Sequence, residues 1–395
     1  MPLSEPSRDA PPAHEQTVVF RGAPGTGRPD AAIRLSRDTT DRPTAERGAP
    51  GADGLEFPFA SEPGTGDGSA ITVAPGVLWL RMPLYTALPW INVWALADGD
   101  GWTIVDTGIN STAAIDAWVA ARAGVLGRRP VSRVIVTHMH PDHCGLAGWL
   151  IERDASRLWM TRLEYLTCRL MAADTGRVPP RDGIEFYRGA GWDAEALQRY
   201  AEKFGWFGQM IHPMPASYRR IVDGEALSIG GRTWTVVVGT GHSPEHACLH
   251  CPELGLLISG DQVLPRITSN VSVYPIEPDA DPLAEWQGSI AMLKARIGDD
   301  TLVLPAHNSP FYGLHARLER LAAGHARALD RLEELLVEPR RAVDVFGALF
   351  KRPIGATVLG MATGEAIAHL NHLQRMGRAT RERDADGVWW WRRAG

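Results

Sequence analysis

Between Ala70 and Val105 the chain alternates short apolar runs with turn residues: Ile71–Val73, Val77–Leu80, Ile91–Leu96 and Trp102–Val105, with Asp98-Gly99-Asp100-Gly101 before the last. Runs of this length, rich in β-branched and aromatic residues and bounded by Gly, Pro and Asp, predict an antiparallel meander. At Ser111 the period changes. Ser111 to Ala121 carries apolar residues at helical spacing behind a serine able to cap the first turn, so a helix is predicted there. Val131–Val136 then reads as a buried strand, Leu146–Arg153 as a helix and Arg157–Met160 as a strand. Later strands are Ala226–Ile229 and Arg232–Val238, joined at Gly230-Gly231, then Cys248–His250, Leu254–Ser259 and Leu302–Leu304. Strands alternating with helices imply an α/β layered sandwich.

Three stretches break this texture. Residues 1–68 are dominated by Pro, Gly, Asp, Arg, Ser and Thr. Such a segment buries too little surface to offset its ordering entropy, so it is expected to be disordered. Residues 161–218 read as a helical insertion studded with aromatics (Tyr165, Phe186, Tyr187, Trp192, Tyr200, Phe204, Trp206, Phe207) and interrupted by Val178-Pro179-Pro180. The insertion suits a lid or a substrate-pocket wall, and its aromatics suit packing against the core or a partner equally well. Residues 313–338 have helical periodicity with alternating charges and read as a connector helix between a main domain, 69–312, and a small unit, 339–395. In that last unit, helices at Ala342–Phe350, Ala356–Met361 and Gly364–Met376 precede a hairpin, Arg378–Arg383 and Val388–Arg392. The order resembles a winged-helix unit.

Composition narrows the partners. With 395 residues, 44% hydrophobic and 22% charged, and a net charge of −5, the chain has no global pull toward nucleic acid or anionic membrane. Residues 340–395 carry ten Lys/Arg against five Asp/Glu, a mild basic excess without a dense stripe. Packing or homodimer formation explains that unit as well as nucleic-acid binding does. No apolar run is long enough to span a membrane, and the N-terminus lacks the basic-then-apolar opening of a signal peptide, so a cytoplasmic location is expected. The four cysteines (Cys144, Cys168, Cys248, Cys251) form no disulfide framework. Strand alternation would turn Cys248 and Cys251 to opposite faces, and Cys144 reads as a small packing residue.

The chemistry concentrates in Thr137-His138-Met139-His140-Pro141-Asp142-His143-Cys144-Gly145. Three imidazoles and a carboxylate follow a buried strand within six residues. His138 and His140 are two apart and project to one side of an extended segment, where they can share one metal. Asp142 and His143, beyond Pro141, point elsewhere and would serve a second ion. The N/O donor set suits zinc first, with iron or manganese also compatible. Gly239 and Gly241 flank Thr240 and free the backbone that carries His242.

The motif His138-x-His140-x-Asp142-His143 resembles that of the metallo-β-lactamase superfamily of hydrolases, including its glyoxalase II-like branch. Gly241–His246, Ser259-Gly260-Asp261 and Pro305-Ala306-His307 match in order, and the likeness runs from about Val73 to about Pro310. The resemblance implies a four-layer αββα sandwich. It also implies one metal on His138, His140 and His242, a second on Asp142, His143 and His307, and Asp261 bridging both. Asp106 stands where the family has a buried carboxylate behind the metal loop, which would orient a ligand; a turn-capping role is the alternative. Arg266, Asn270 and Tyr274, close after the bridging aspartate, are candidates for orienting substrate, or else polar residues of a long loop. The reaction implied is hydrolysis by a metal-bridging hydroxide, with Asp142 as proton acceptor, and the aromatic insertion points to an acyl ester, thioester or lactone with an apolar portion as substrate. An aspartate rather than a cysteine at 261 argues against one branch of true β-lactam hydrolases, and the helical glutathione-binding tail of glyoxalase II has no equivalent here. Two alternatives stay open: an RNA-cleaving phosphodiesterase and a mononuclear iron persulfide oxygenase.

Overall fold

The computed structural model describes residues 50–85 and 88–395. Seven strands form one sheet: β1 (Ile71–Ala74), β2 (Val77–Pro83), β3 (Trp90–Asp98), β4 (Gly101–Val105), β5 (Val131–Ile135), β6 (Arg157–Met160) and β7 (Arg219–Arg220). They lie side by side in chain order, antiparallel through β4 and parallel from β4 to β7. Helices α1 (Thr112–Ala123), α2 (Pro141–Cys144) and α3 (Ala147–Asp154) connect the parallel strands. Ser111 caps α1 by accepting the Ala114 N–H. The insertion contains α4 (Arg162–Ala173), α5 (Arg181–Gly189) and α6 (Ala194–Lys203).

A second sheet runs in the order β12-β11-β10-β9-β8, built from β8 (Ala226–Ile229), β9 (Arg232–Gly239), β10 (His246–Cys251), β11 (Leu256–Gly260) and β12 (Leu302–Pro305). Period-two alternation assigns its two faces. Val236, Leu249, Ile258 and Leu304 pack between the sheets against Trp79, Trp94 and Ile135. Val237, Leu257 and Val303 turn outward, onto α7 (Pro282–Arg296) and α8 (Leu314–Leu335). Cys248 lies on the outer face and Cys251 between the sheets, as the alternation requires. The outer face of the first sheet is covered by α1, α3 and α4. The result is the αββα sandwich.

Two expectations change. The reading of residues 1–49 as disordered lies outside the described residues, but residues 50–68 are packed. Leu55 is buried, Phe59 meets Trp79 edge-on, and Glu62 pairs with the Arg81 guanidinium at 2.7 Å. Low apolar content concealed a few anchors that suffice because a sandwich is already there to receive them. In the C-terminal unit, the helices expected at Ala356–Met361 and Gly364–Met376 are one helix, α10 (Leu359–Arg375). Gly364 reads as a helix break, since glycine costs about 1 kcal/mol in a helix interior. Here it is a contact instead: a Cβ would lie 2.8 Å from Ser272 Cβ and from the Val273 carbonyl oxygen. Ala342–Phe350 is a 3-10 turn followed by the short α9 (Phe346–Leu349), and β13 (Ala379–Arg383) pairs with β14 (Trp389–Arg393) as the expected hairpin. Among the described residues no helix is long and apolar enough to cross a membrane.

α8 is no free connector. Its Leu318, Leu321, Leu329 and Leu332 share a core with Ala366, Ile367, Leu370 and Leu373 of α10. Inside that contact His325 Nδ1 lies 3.3 Å from His369 Nε2, and burial holds both imidazoles down at about 4. The unfolded chain, with ordinary imidazoles, binds these protons more readily, so stability falls as pH drops from about 6.5 toward about 4. Urea midpoints are therefore expected to fall between pH 7 and pH 5, and His369→Gln to flatten that dependence. An unchanged slope in the variant would place the acid sensitivity elsewhere.

Candidate metal centre

The strand ends set the site. β5 leads into Thr137 and His138, β9 into Gly241 and His242, β11 into Asp261 and β12 into His307. Two of these exits need left-handed backbone. Gly241 has φ +99°, and a Cβ there would meet Trp286 at 2.6 Å; Gly260 has φ +49°, and a Cβ would meet the His246 ring at 2.6 Å. Neither position accepts another residue without displacing the loop.

Two donor groups meet there. His138, His140, His242 and Asp261 offer donor atoms all within 4.8 Å of one another, and so do Asp142, His143 and His307. His138 Nε2 lies 2.8 Å from His140 Nδ1 and 3.3 Å from His242 Nε2. Asp261 faces both groups. Its Oδ2 is 3.5 Å from His242 Nε2, while its Oδ1 is 3.5 Å from His143 Nε2 and 3.7 Å from His307 Nε2. Asp142 Oδ2 is 3.3 Å from His307 Nε2.

The surrounding bonds choose the tautomers. His242 Nδ1 lies 2.7 Å from the Asn270 carbonyl and His307 Nδ1 3.1 Å from the Trp90 carbonyl. A carbonyl only accepts, so each Nδ1 carries the proton and each Nε2 presents a lone pair inward. Asp106 does the same for His143: its Oδ2 is 2.8 Å from Nδ1, and its two oxygens also accept the Thr137 N–H and hydroxyl. The Asp106 carboxylate thus bonds the His143 ring and the Thr137 backbone and hydroxyl together. Asp106 sits at φ 60°, a conformation uncommon outside glycine in which aspartate and asparagine are enriched.

Electrostatics match this geometry. Burial and neighbouring imidazoles push His138 well below its ordinary value, and burial with His242 pushes His140 down to about 3, so both are neutral with free lone pairs. Burial works against charge on His143, yet Asp106, Asp261 and Asp142 raise it well above the usual imidazole range. That pocket calls for positive charge. His143 Nε2 and Asp261 Oδ1 are buried without a hydrogen-bond partner, a costly arrangement that a cation between them would relieve.

Comparison with known proteins agrees with the geometry. Residues 91–307, more than half of the chain, match the family model described as the metallo-beta-lactamase superfamily. The chain belongs to the metallo-beta-lactamase superfamily. Residues 329–394 match the metallo-beta-lactamase-like C-terminal domain. A beta-lactamase domain protein from Burkholderia ambifaria is 41% identical, with a TM-score of 0.80, over 87% of this chain and 100% of that one. The probable metallo-hydrolase YqjP of Bacillus subtilis is 25% identical over 75% of this chain and 92% of its own length. The acyl-coenzyme A thioesterase MBLAC2 of Gallus gallus is 24% identical over 63% and 83% respectively. The chain is thus a metallo-hydrolase of this superfamily, whose members bind divalent metals.

Arg266 is exposed and lies over the Phe57 ring at 4.6 Å, so the structure places it with the N-terminal segment rather than with the ligand cluster. Asn270 touches the centre through its carbonyl, and its side chain is bound to Glu365. Tyr274 is exposed on the same loop. The insertion's aromatics mostly pack: Tyr187 stacks on Trp192 at 4.2 Å and meets Tyr200 at 4.7 Å, and Trp192 Nε1 donates to Thr363 of α10.

Three buried residues escaped the sequence reading. Glu164, in the first turn of α4, accepts the Met139 N–H at 2.9 Å and the Glu245 N–H at 2.8 Å, stapling the two histidine loops together. His246 stacks on His138 at 4.7 Å, and its Nε2 accepts the Asp261 N–H. Asn92, wholly buried in β3, donates to the Pro305 and Asn308 carbonyls on either side of His307. Only His246 left a signal, as a histidine inside a matched motif.

Cys144 adjoins His143, but its thiol donates to the Met139 carbonyl, and burial with Cys168 nearby raises it well above the ordinary thiol value. Cys144→Ser is expected to leave bound metal and turnover within about twofold, because the substitution changes no donor. Elemental analysis and an activity assay on the variant check this; loss of metal would overturn the ligand set.

Proposed function

We propose that the seven side chains hold two divalent ions, zinc in the first place, and that the chain hydrolyses acyl thioesters. The observation that carries this is Asp261, with one oxygen toward His242 and the other toward His143 and His307. His138, His140 and His242 would hold one ion; Asp142, His143 and His307 would hold the other. Zinc bound there supplies Lewis acidity and shifts the ionisation of a coordinated water toward neutral pH. The chain's own residues do the rest. The carbonyls of Asn270 and Trp90 and the Asp106 carboxylate keep the Nε2 lone pairs of His242, His307 and His143 inward. Burial pushes Asp142 up, but His143 and His307 hold it at about 2, so it stays ionised, able to serve as a donor and as the proton acceptor. No thiol or hydroxyl nucleophile is required, and the Cys144 thiol is tied to the Met139 carbonyl.

The thioester class draws support from relatives named as acyl-coenzyme A thioesterases. Purified protein should be analysed for zinc, iron and manganese and assayed for thiol release from acyl-coenzyme A of several chain lengths. About two zinc ions per chain and chelator-sensitive thiol release are expected. One iron per chain with oxygen uptake on a persulfide would replace this reading with an oxygenase, and cleavage of single-stranded RNA without thiol release would replace it with a phosphodiesterase.

A further inference from the structure

Helix α10 reaches the metal centre from outside the sandwich. The Glu365 carboxylate accepts a hydrogen bond from Asn270 Nδ2 at 2.8 Å, and the backbone carbonyl of Asn270 accepts the Nδ1–H of His242 at 2.7 Å. The other end of the Asn270 amide is also engaged, by the Ser272 hydroxyl at 2.5 Å. Further along the same segment, the Val273 N–H donates to the Gly364 carbonyl at 3.1 Å. Gly364 itself is pressed so closely onto Ser272 and Val273 that no side chain fits. The first turns of α10 are therefore docked on residues 270–273, and the first residue of that segment holds the His242 ring.

We infer that Glu365 is a positioning residue for His242: by binding the Asn270 amide it fixes the carbonyl that orients the imidazole, which makes the C-terminal helix part of the metal centre. This rests on His242 being a metal ligand. A group bonded directly to a metal ligand, as the Asn270 carbonyl is to His242, typically changes metal affinity by about 10–100-fold, and Glu365, acting through Asn270, takes the low end of that range. The carboxylate has no other evident task, since among the described residues it makes no ion pair. Burial lifts its carboxyl to about 7, against the opposing effect of the Asn270 bond. Desolvation and the Glu365 charge raise the Tyr274 phenol, and His369, one turn along α10, binds only the Glu365 backbone carbonyl.

The test is zinc affinity of the full chain, by competition with a chromophoric chelator, alongside the melting temperature of the metal-free protein. Glu365→Ala is expected to weaken zinc binding by about tenfold or more, without a matching change in melting temperature. Glu365→Gln still offers an oxygen to Asn270 and should stay within about threefold of wild type. Trp192→Phe, which cuts the separate Trp192–Thr363 bond to α10, should also stay within about threefold. Wild-type affinity in Glu365→Ala overturns the inference, as does an equal loss in Trp192→Phe, which would mean that general docking of α10 is responsible. If Glu365→Ala does not melt cooperatively, Asn270→Ala severs the same bond from the other side and is judged by the same limits. A wild-type chain that takes up no zinc overturns the metal-centre reading and this inference together. A zinc-binding wild type with indifferent variants overturns this inference alone.

Discussion

Asp261→Ala is expected to lower hydrolysis by at least about a thousandfold and to empty both halves of the centre of metal. Asp261 is the side chain with an oxygen toward each donor group, so on the proposed two-ion centre its loss would cost each ion a ligand. A metal's contribution to transition-state stabilisation is several kcal/mol, and each ~1.4 kcal/mol is a decade in rate. The backbone should tolerate the change, because the Asp261 N–H and carbonyl keep their bonds to His246 and Ser269. Metal content and turnover, measured on protein with a native circular dichroism spectrum, decide the matter. An alanine variant that keeps two ions would remove Asp261 from the bridging role.

Asp106→Asn should act more subtly, reducing zinc affinity and turnover by about 10–100-fold while leaving the fold intact. Asparagine tolerates the left-handed backbone at this position almost as well as aspartate, so strain is not the variable. The chemistry is. Three donors converge on the Asp106 carboxylate, from His143 Nδ1 and from the Thr137 N–H and hydroxyl. An amide has one oxygen for those donors and turns an N–H toward another. His143 is then free to move its proton to Nε2, the atom that faces Asp261 and Asp142. Zinc titration at limiting metal measures the effect, and an unaltered affinity would make Asp106 a structural turn residue after all.

These two expectations show why the candidate ligands were legible in the chain and their supports were not. His138, His140, Asp142 and His143 stand close together, after a strand whose apolar pattern is plain, and a loop of that composition has few chemical uses. Asp106 could be marked as a candidate only because the resemblance puts a buried carboxylate there, and Asn270 only because it follows Asp261 closely. Glu164 sits in a helix that reads as insertion, 25 residues from Met139 and 81 from Glu245, whose N–H groups it accepts. Asn92 bonds to carbonyls more than 200 residues away. Nothing local distinguishes a buried carboxyl or amide that holds a distant loop from one that faces water.

By itself the sequence determined most strands of the sandwich, the alternation that gives each sheet two buried faces, and the donor chemistry of a candidate metal site. Periodicity and residue type are local properties, so they survive in one dimension. Only the tertiary structure decided which oxygen of Asp261 faces which histidines and which imidazole nitrogen is left free. It alone decided that residues 50–68 strap onto the sandwich and that α10 runs unbroken through Gly364 to place Glu365 beside Asn270. Each of these depends on two segments meeting, and a hydrogen bond or a close glycine contact acquires its meaning only from the partner that folding brings to it.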